Sequence, residues 1–203
     1  NAVIEAPPSK SYTQRALIIA ALADGKSVIK NPLFSDDTNY MISALKQFGV
    51  KILKKENNLA VYGTNGNLKL PKKAVFVGNA GTAMRFIAAL ASLSGGGVTI
   101  ITGNKRMQQR PIENLLDALH QLGVRSESND GLPPVKIYGG SFNGGNVKLK
   151  GSISSQYLSS ILMCAPYAKK NIAISIVGDL TSKPYVDITL DIMKNFGIEV
   201  KNF

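Results

Sequence analysis

Tryptophan is absent, histidine and cysteine occur once each, and 13 acidic side chains face 24 lysines and arginines. Each shortage removes a class of chemistry. His120, the sole histidine, sits beside apolar Leu119 in a helical stretch. A Ser-His-Asp triad and a histidine-built metal centre are therefore disfavoured, and no Cys-His cluster can form, so no metal and no cofactor is expected. Cys164 alone rules out an internal disulfide and fits a reducing compartment. Its neighbours Leu162, Met163 and Ala165 mark it as a core residue rather than a reactive thiol. No uncharged apolar run reaches about 18 residues, so no membrane-spanning helix is expected. No Gly-x-x-x-x-Gly-Lys-Ser/Thr phosphate loop occurs. No signal-like segment is visible, although the chain opens on Asn1 and this carries little weight. The scarcity of acid leaves a net charge of +11. That surplus suggests an anionic partner: a phosphorylated metabolite, nucleic acid or a membrane surface. No lysine/arginine block is interleaved with aromatics, which argues against nucleic acid.

What is present is a repeat. Ala44-Leu45-Lys46-Gln47-Phe48-Gly49-Val50 returns as Ala118-Leu119-His120-Gln121-Leu122-Gly123-Val124 and again as Ile192-Met193-Lys194-Asn195-Phe196-Gly197-Ile198. Gly49, Gly123 and Gly197 are 74 residues apart, and Ile42, Leu116 and Leu190 share the register. A helix that ends in glycine and runs into a β-branched residue is being reused. Each copy is one supersecondary unit that needs its neighbours to bury its apolar face. With 203 residues and 44% apolar content, one three-unit α/β domain is expected.

Each unit opens on a polar loop and continues into a strongly apolar helix: loop 10–15 with helix 16–23, loop 78–85 with helix 86–93, and loop 151–156 with helix 157–168. Helices apolar nearly all round belong inside. Strands follow at 27–30, 98–102 and 172–177. The second helix of each unit is amphipathic, as Ile112, Leu115, Leu116, Leu119 and Leu122 show. Ser35-Asp36-Asp37 reads as an N-cap with acidic first-turn residues. Gly49, Gly123 and Gly197 read as left-handed C-terminal caps. Strand pairs 50–53 with 59–62 and 124–127 with 134–138 close two units through turns at Asn57-Asn58 and Asn129-Asp130-Gly131. The third copy reaches Ile198-Glu199-Val200 without a return strand, as a piece of a longer polypeptide would. The expected architecture is three β-α-β-α-β-β units around a pseudo-threefold axis, helices inside and sheets outside. Residues 1–8 form a lead-in or interdomain segment. The domain spans 9–203, in units of about 9–72, 73–145 and a truncated 146–203.

Three related helix starts can aim their unpaired N–H groups and partial positive charge at one place. Lys10 and Arg15 add charge there. Ser11, Thr82, Ser154 and Ser155 add hydroxyls, Gln156 adds an amide, and Gly81 permits close approach to the backbone. Capping accounts for any one of these hydroxyls; the same chemistry at three equivalent starts favours a site. Before the second helices, Pro111 and Pro184 set the first turns and leave Arg110 and Ser182 beside a helix start. The arginine fork suits a carboxylate or phosphate.

Five segments together resemble the enolpyruvyl transferases, specifically the 5-enolpyruvylshikimate-3-phosphate synthase family (3-phosphoshikimate 1-carboxyvinyltransferases). They are Pro8-Ser9-Lys10-Ser11 through Arg15-Ala16-Leu17; Gly78-Asn79-Ala80-Gly81-Thr82-Ala83-Met84-Arg85; Arg106-Met107 with Arg110-Pro111-Ile112; Ser154-Ser155-Gln156; and Ser182-Lys183-Pro184-Tyr185 with Asp187-Ile188. The resemblance runs from about Pro7 to Phe203. It implies an inside-out α/β barrel as one half of a two-domain cytoplasmic enzyme (organellar in a plant). That enzyme transfers the enolpyruvyl group of phosphoenolpyruvate to the 5-hydroxyl of shikimate 3-phosphate and releases phosphate, a step of aromatic amino-acid synthesis. By the same resemblance, Lys10 touches both substrates and is catalytic. Ser11, Arg15, Ser154, Ser155, Gln156, Ser182 and Tyr185 hold shikimate 3-phosphate. Gly81, Arg110 and Gln156 hold phosphoenolpyruvate, with Asn79, Thr82 and Arg85 nearby. The cell-wall enolpyruvyl transferase shares the fold, but the serine-glutamine and Ser182-Lys183-Pro184-Tyr185 motifs, and the lack of a cysteine between Thr102 and Arg110, favour the shikimate enzyme. Phe86 departs from the proline common in the family. The family's second domain, with its proton-transfer acids, matches no part of this chain, so the chain alone is expected to be inactive. The competing class is a non-catalytic anion- or nucleic-acid-binding module of the same fold, as in an RNA-end cyclase.

Overall fold

The computed structural model describes residues 6–202. Its elements run α1 (Lys10–Leu22), β1 (Lys26–Lys30), α2 (Asp36–Gln47), β2 (Lys51–Lys55), β3 (Asn58–Tyr62), β4 (Val75–Phe76), α3 (Gly81–Ala91), β5 (Val98–Thr102), α4 (Glu113–Gln121), β6 (Ser126–Asn129), β7 (Leu132–Tyr138), β8 (Gly145–Lys150), α5 (Ser155–Cys164), β9 (Ile172–Val177) and α6 (Lys183–Asn195). Single 3-10 turns lie at Met107–Gln109 and Ala165–Tyr167.

The first helices of the three units form the interior. α1, α3 and α5 pack on one another. Every residue of α3 except Thr82 is buried, and every residue of α5 except Gln156. Helices apolar nearly all round must be covered on every side, and this places the second helices and the sheets outside them. The second helices are amphipathic and clad the interior. α2 buries Thr38, Met41, Ala44 and Leu45, and packs on α1 and α3. α6 buries Val186, Thr189, Ile192 and Met193, and packs on α5 and α1. α4 buries Leu115, Leu116, Ala118 and Leu119, and lies against β8.

The sheets follow the repeat. β3 lies between β1 and β2, antiparallel to both. β7 likewise lies between β5 and β6, while β4 adds to β5 in parallel across α3. β8 and β9 pair in parallel across α5. The expected inside-out α/β barrel of three units is the observed fold. The glycine ends are alike in all three copies. Gly49, Gly123 and Gly197 have φ of 88°, 88° and 80°. In each, the next N–H returns to a carbonyl five residues earlier: Val50 to Leu45, Val124 to Leu119 and Ile198 to Met193, at 3.1, 2.9 and 3.0 Å. This cap satisfies the last carbonyls only if the glycine turns left-handed.

Several boundaries differ from those read from the sequence. α1 begins at Lys10, because Ser9 Oγ accepts from the Tyr12 N–H and caps the helix. The polar stretch 10–15 is therefore its first turns, not a loop. α5 stops at Cys164, two residues before Pro166. Pro111 precedes α4 rather than entering its first turn. The first hairpin turns at Glu56-Asn57, one residue early, with Glu56 at φ 51°. Ile198-Glu199-Val200 is not a strand. Among the described residues, β9 lacks the antiparallel partner that β3 gives β1 and β7 gives β5.

Candidate functional site

The N-terminal turns of α1, α3 and α5 converge. Gln156 Nε2 donates to Thr82 Oγ1 at 3.3 Å, which joins the starts of α5 and α3. Arg15, in the second turn of α1, reaches both of the other helices. Its Nη2 donates to Ser159 Oγ on α5 at 3.2 Å, and its Cζ lies 5.2 Å from the Phe86 ring centroid on α3.

Arg15 is 2% exposed. Its Nε donates to Thr189 Oγ1 at 2.7 Å and its Nη1 to the Ser11 carbonyl at 3.2 Å. The Tyr185 ring centroid lies 5.8 Å from Cζ. All of these partners are neutral. Among the described residues, no carboxylate lies within 4 Å of this guanidinium. Burial pulls its pKa down to about 10, opposed by Tyr185, and the group stays charged at neutral pH. A buried, unpaired cation is costly. Three of its five N–H groups are taken, and each terminal nitrogen keeps one free for an anion.

Arg110 is exposed and lies across Gly81 at the start of α3. A Cβ at Gly81 would come within 2.6 Å of Arg110 Nη1, so glycine here is what lets the guanidinium lie on the start of α3. Arg110 Nη1 also approaches the Asn79 carbonyl at 3.5 Å, and Asn79 Oδ1 is buried without a partner. Arg85 faces inward. It is 6% exposed and donates to the Gly81 and Pro111 carbonyls at 3.0 and 2.9 Å. Tyr157 donates to the same Pro111 oxygen at 3.1 Å. Burial lowers the Arg85 pKa, with neighbouring Arg110 adding to the effect and Tyr157 opposing it. Arg85 thus braces the segment that carries Arg110 rather than facing the opening.

Lys10 lies in the first turn of α1, its Nζ 3.0 Å from Asp37 Oδ2 at the start of α2. Ser154 is the N-cap of α5 and accepts from the Gln156 N–H at 3.2 Å, while Ser155 is buried. Ser182 stands before α6 at φ 58°, exposed, with no capping bond from its side chain. Tyr185, 46% exposed, is the visible edge of the Arg15 stack. Contacts thus tie Arg15 to Ser11 and Tyr185, Gln156 to Thr82 and Ser154, and Arg110 to Gly81 and Asn79. Sequence reasoning missed Ser159, Thr189 and Asp37. Ser159 and Thr189 follow Ser155 and Tyr185 by four residues, one helical turn, and that spacing was the available signal. Asp37 was assigned only to capping, and it also holds Lys10. A concavity of about 220 Å³ lined by Ile19, Leu22, Met163, Tyr167, Phe196 and Ile198 among others lies at the far end of α1, and among the described residues no lysine or arginine lines it.

Comparison with known proteins gives the family and the fold. The family model described as EPSP synthase (3-phosphoshikimate 1-carboxyvinyltransferase) matches residues 1–203. A 3-phosphoshikimate 1-carboxyvinyltransferase of Sulfurovum sp. is 48% identical over 98% of this chain and 48% of its own length. One from Enterobacter sp. is 47% identical over 100% of this chain and 48% of its own. The solved EPSP synthase of Acinetobacter baumannii superposes with a TM-score of 0.86 at 26% identity, covering 98% of this chain and 44% of that one. The chain spans about half the length of the curated relatives it matches.

Proposed function

This chain belongs to the EPSP synthase family, and from that membership we propose that it is the shikimate 3-phosphate-binding half of a 3-phosphoshikimate 1-carboxyvinyltransferase. The complete enzyme moves the enolpyruvyl group of phosphoenolpyruvate onto the 5-hydroxyl of shikimate 3-phosphate and releases phosphate. One observation carries the reading: Arg15 is a desolvated cation with no carboxylate of the described residues within 4 Å, set where three helix starts meet. Both substrates are multiply charged anions, and such a place is built for them.

In this reading residues 9–203 are one domain. Ser11, Arg15, Ser154, Ser155, Gln156, Ser182 and Tyr185 hold shikimate 3-phosphate. Arg110, seated on Gly81, holds phosphoenolpyruvate, with Gln156, Asn79 and Thr82 beside it. Lys10 leaves Asp37 for the substrates and stabilises charge as the 5-hydroxyl adds and phosphate departs. A second domain, beyond this chain, closes over the site in the cytoplasm, excludes water and supplies the proton-transfer acids. The test is phosphate release that requires both substrates. The longer protein turns over many times, and Lys10→Met abolishes turnover without unfolding it. Multiple turnovers by the 203-residue chain alone contradict the two-half reading. Binding of RNA or DNA with a log-linear salt dependence, and none of shikimate 3-phosphate, supports the competing binding-module reading instead.

A further inference from the structure

A buried arginine is usually steadied by a carboxylate, and a carboxylate beside Arg15 would neutralise the charge that an anionic ligand needs. This interior uses aromatic faces instead. The guanidinium carbon lies 5.2 Å from the Phe86 centroid and 5.8 Å from that of Tyr185. A π face stabilises a cation and leaves its net charge intact. The two rings differ in freedom. Phe86 is 0% exposed in α3, which is buried apart from Thr82, whereas Tyr185 is 46% exposed at the start of α6. Phe86 is the fixed support, and the hydrogen bonds to Ser11, Ser159 and Thr189 set the fork around it.

We propose that Phe86 is a positioning residue for the anion site, holding Arg15 charged and oriented in the interior so that its two uncommitted N–H groups are kept for the ligand. This rests on the reading of Arg15 as a substrate ligand. It predicts that the electrostatic face of the ring matters, beyond its volume. Position-specific replacement of Phe86 by 4-fluoro-, 3,5-difluoro- and 3,4,5-trifluorophenylalanine weakens that face stepwise at nearly constant size. Phe86→Leu removes it.

Two quantities are read on the 203-residue chain: affinity for shikimate 3-phosphate, and the hydrogen-exchange rate of the Arg15 Nε–H by NMR. The expected result is a stepwise fall in affinity reaching about tenfold, with a matching rise in Nε–H exchange and unchanged backbone amide protection in α3. A side chain that only fills space gives a flat series in both readouts, and that result overturns the proposal. Should Phe86→Leu fail to fold, the fluorinated series still decides the question. Should the wild-type chain bind no shikimate 3-phosphate, the proposed function fails, and the exchange series alone accepts or rejects Phe86 as the support of Arg15.

Discussion

Thr82 and Gln156 are 74 residues apart, one full period of the repeat, and they touch: Gln156 Nε2 donates to Thr82 Oγ1 at 3.3 Å. They are also the only residues of α3 and α5 that are not buried. The repeat therefore brings equivalent positions of two units face to face at the mouth of the site. Removing the amide with Gln156→Leu should reduce shikimate 3-phosphate affinity about tenfold, because a ligand hydrogen bond and the link between helices are lost together. Urea unfolding should show a loss of no more than about 1 kcal/mol, the worth of one part-exposed bond.

Arg15 behaves as a site residue if its charge is a burden on the fold. Arg15→Met should leave stability within about 1 kcal/mol of wild type, or raise it, because an unpaired buried charge is replaced by apolar volume. The Ser159 and Thr189 hydroxyls, 2.8 Å apart, keep each other as partners. Binding of shikimate 3-phosphate should disappear. Thermal unfolding and calorimetry on the same sample check both halves of this expectation.

Gly81→Ala tests the seat of Arg110. The three atoms nearest the added Cβ all belong to the end of a flexible, exposed side chain, so the fold should tolerate it within about 1 kcal/mol. The guanidinium must move off the start of α3. In the longer protein, the KM for phosphoenolpyruvate should rise about tenfold, with that for shikimate 3-phosphate little changed. Equal effects on both substrates would place Arg110 elsewhere in the site.

Cys164 gives a dependence on alkaline pH. Burial pushes its thiol from 9.0 up to about 12. Below pH 9 the thiol is protonated in folded and unfolded chains alike, and the stability it contributes is fully present. Between about pH 9 and 12 only the unfolded chain ionises, so that stability is lost by about 1.4 kcal/mol per pH unit. Urea unfolding at pH 8, 9.5 and 10.5 should show this slope in wild type and a shallower one in Cys164→Ala. Native Cys164 should also resist alkylation at pH 8.

The repeat was legible because its markers are backbone needs. A left-handed residue after a helix wants glycine, and Gly49, Gly123 and Gly197 declare it at a fixed period. The central helices were legible from their all-round apolarity. Their starts were not: Lys10 to Arg15 is polar, and polarity was read as loop although Ser9 caps a helix there. The role of Ile198-Glu199-Val200 was illegible for another reason. A strand is made by its partner, and none of the described residues pairs with that segment. At the site, the motif residues were readable as hydroxyls, amides and cations. The burial of Arg15, its pairing with Ser159 and Thr189, and the hold of Asp37 on Lys10 depend on distances across 144, 174 and 27 residues, which no local pattern carries.

The most direct test of the anion site is calorimetric titration of shikimate 3-phosphate into the folded 203-residue chain, beside shikimate, inorganic phosphate and the Arg15→Met variant. The account predicts saturable binding of shikimate 3-phosphate, at least tenfold tighter than either control and absent in Arg15→Met. No binding by a folded chain, or equal binding by wild type and Arg15→Met, would contradict it.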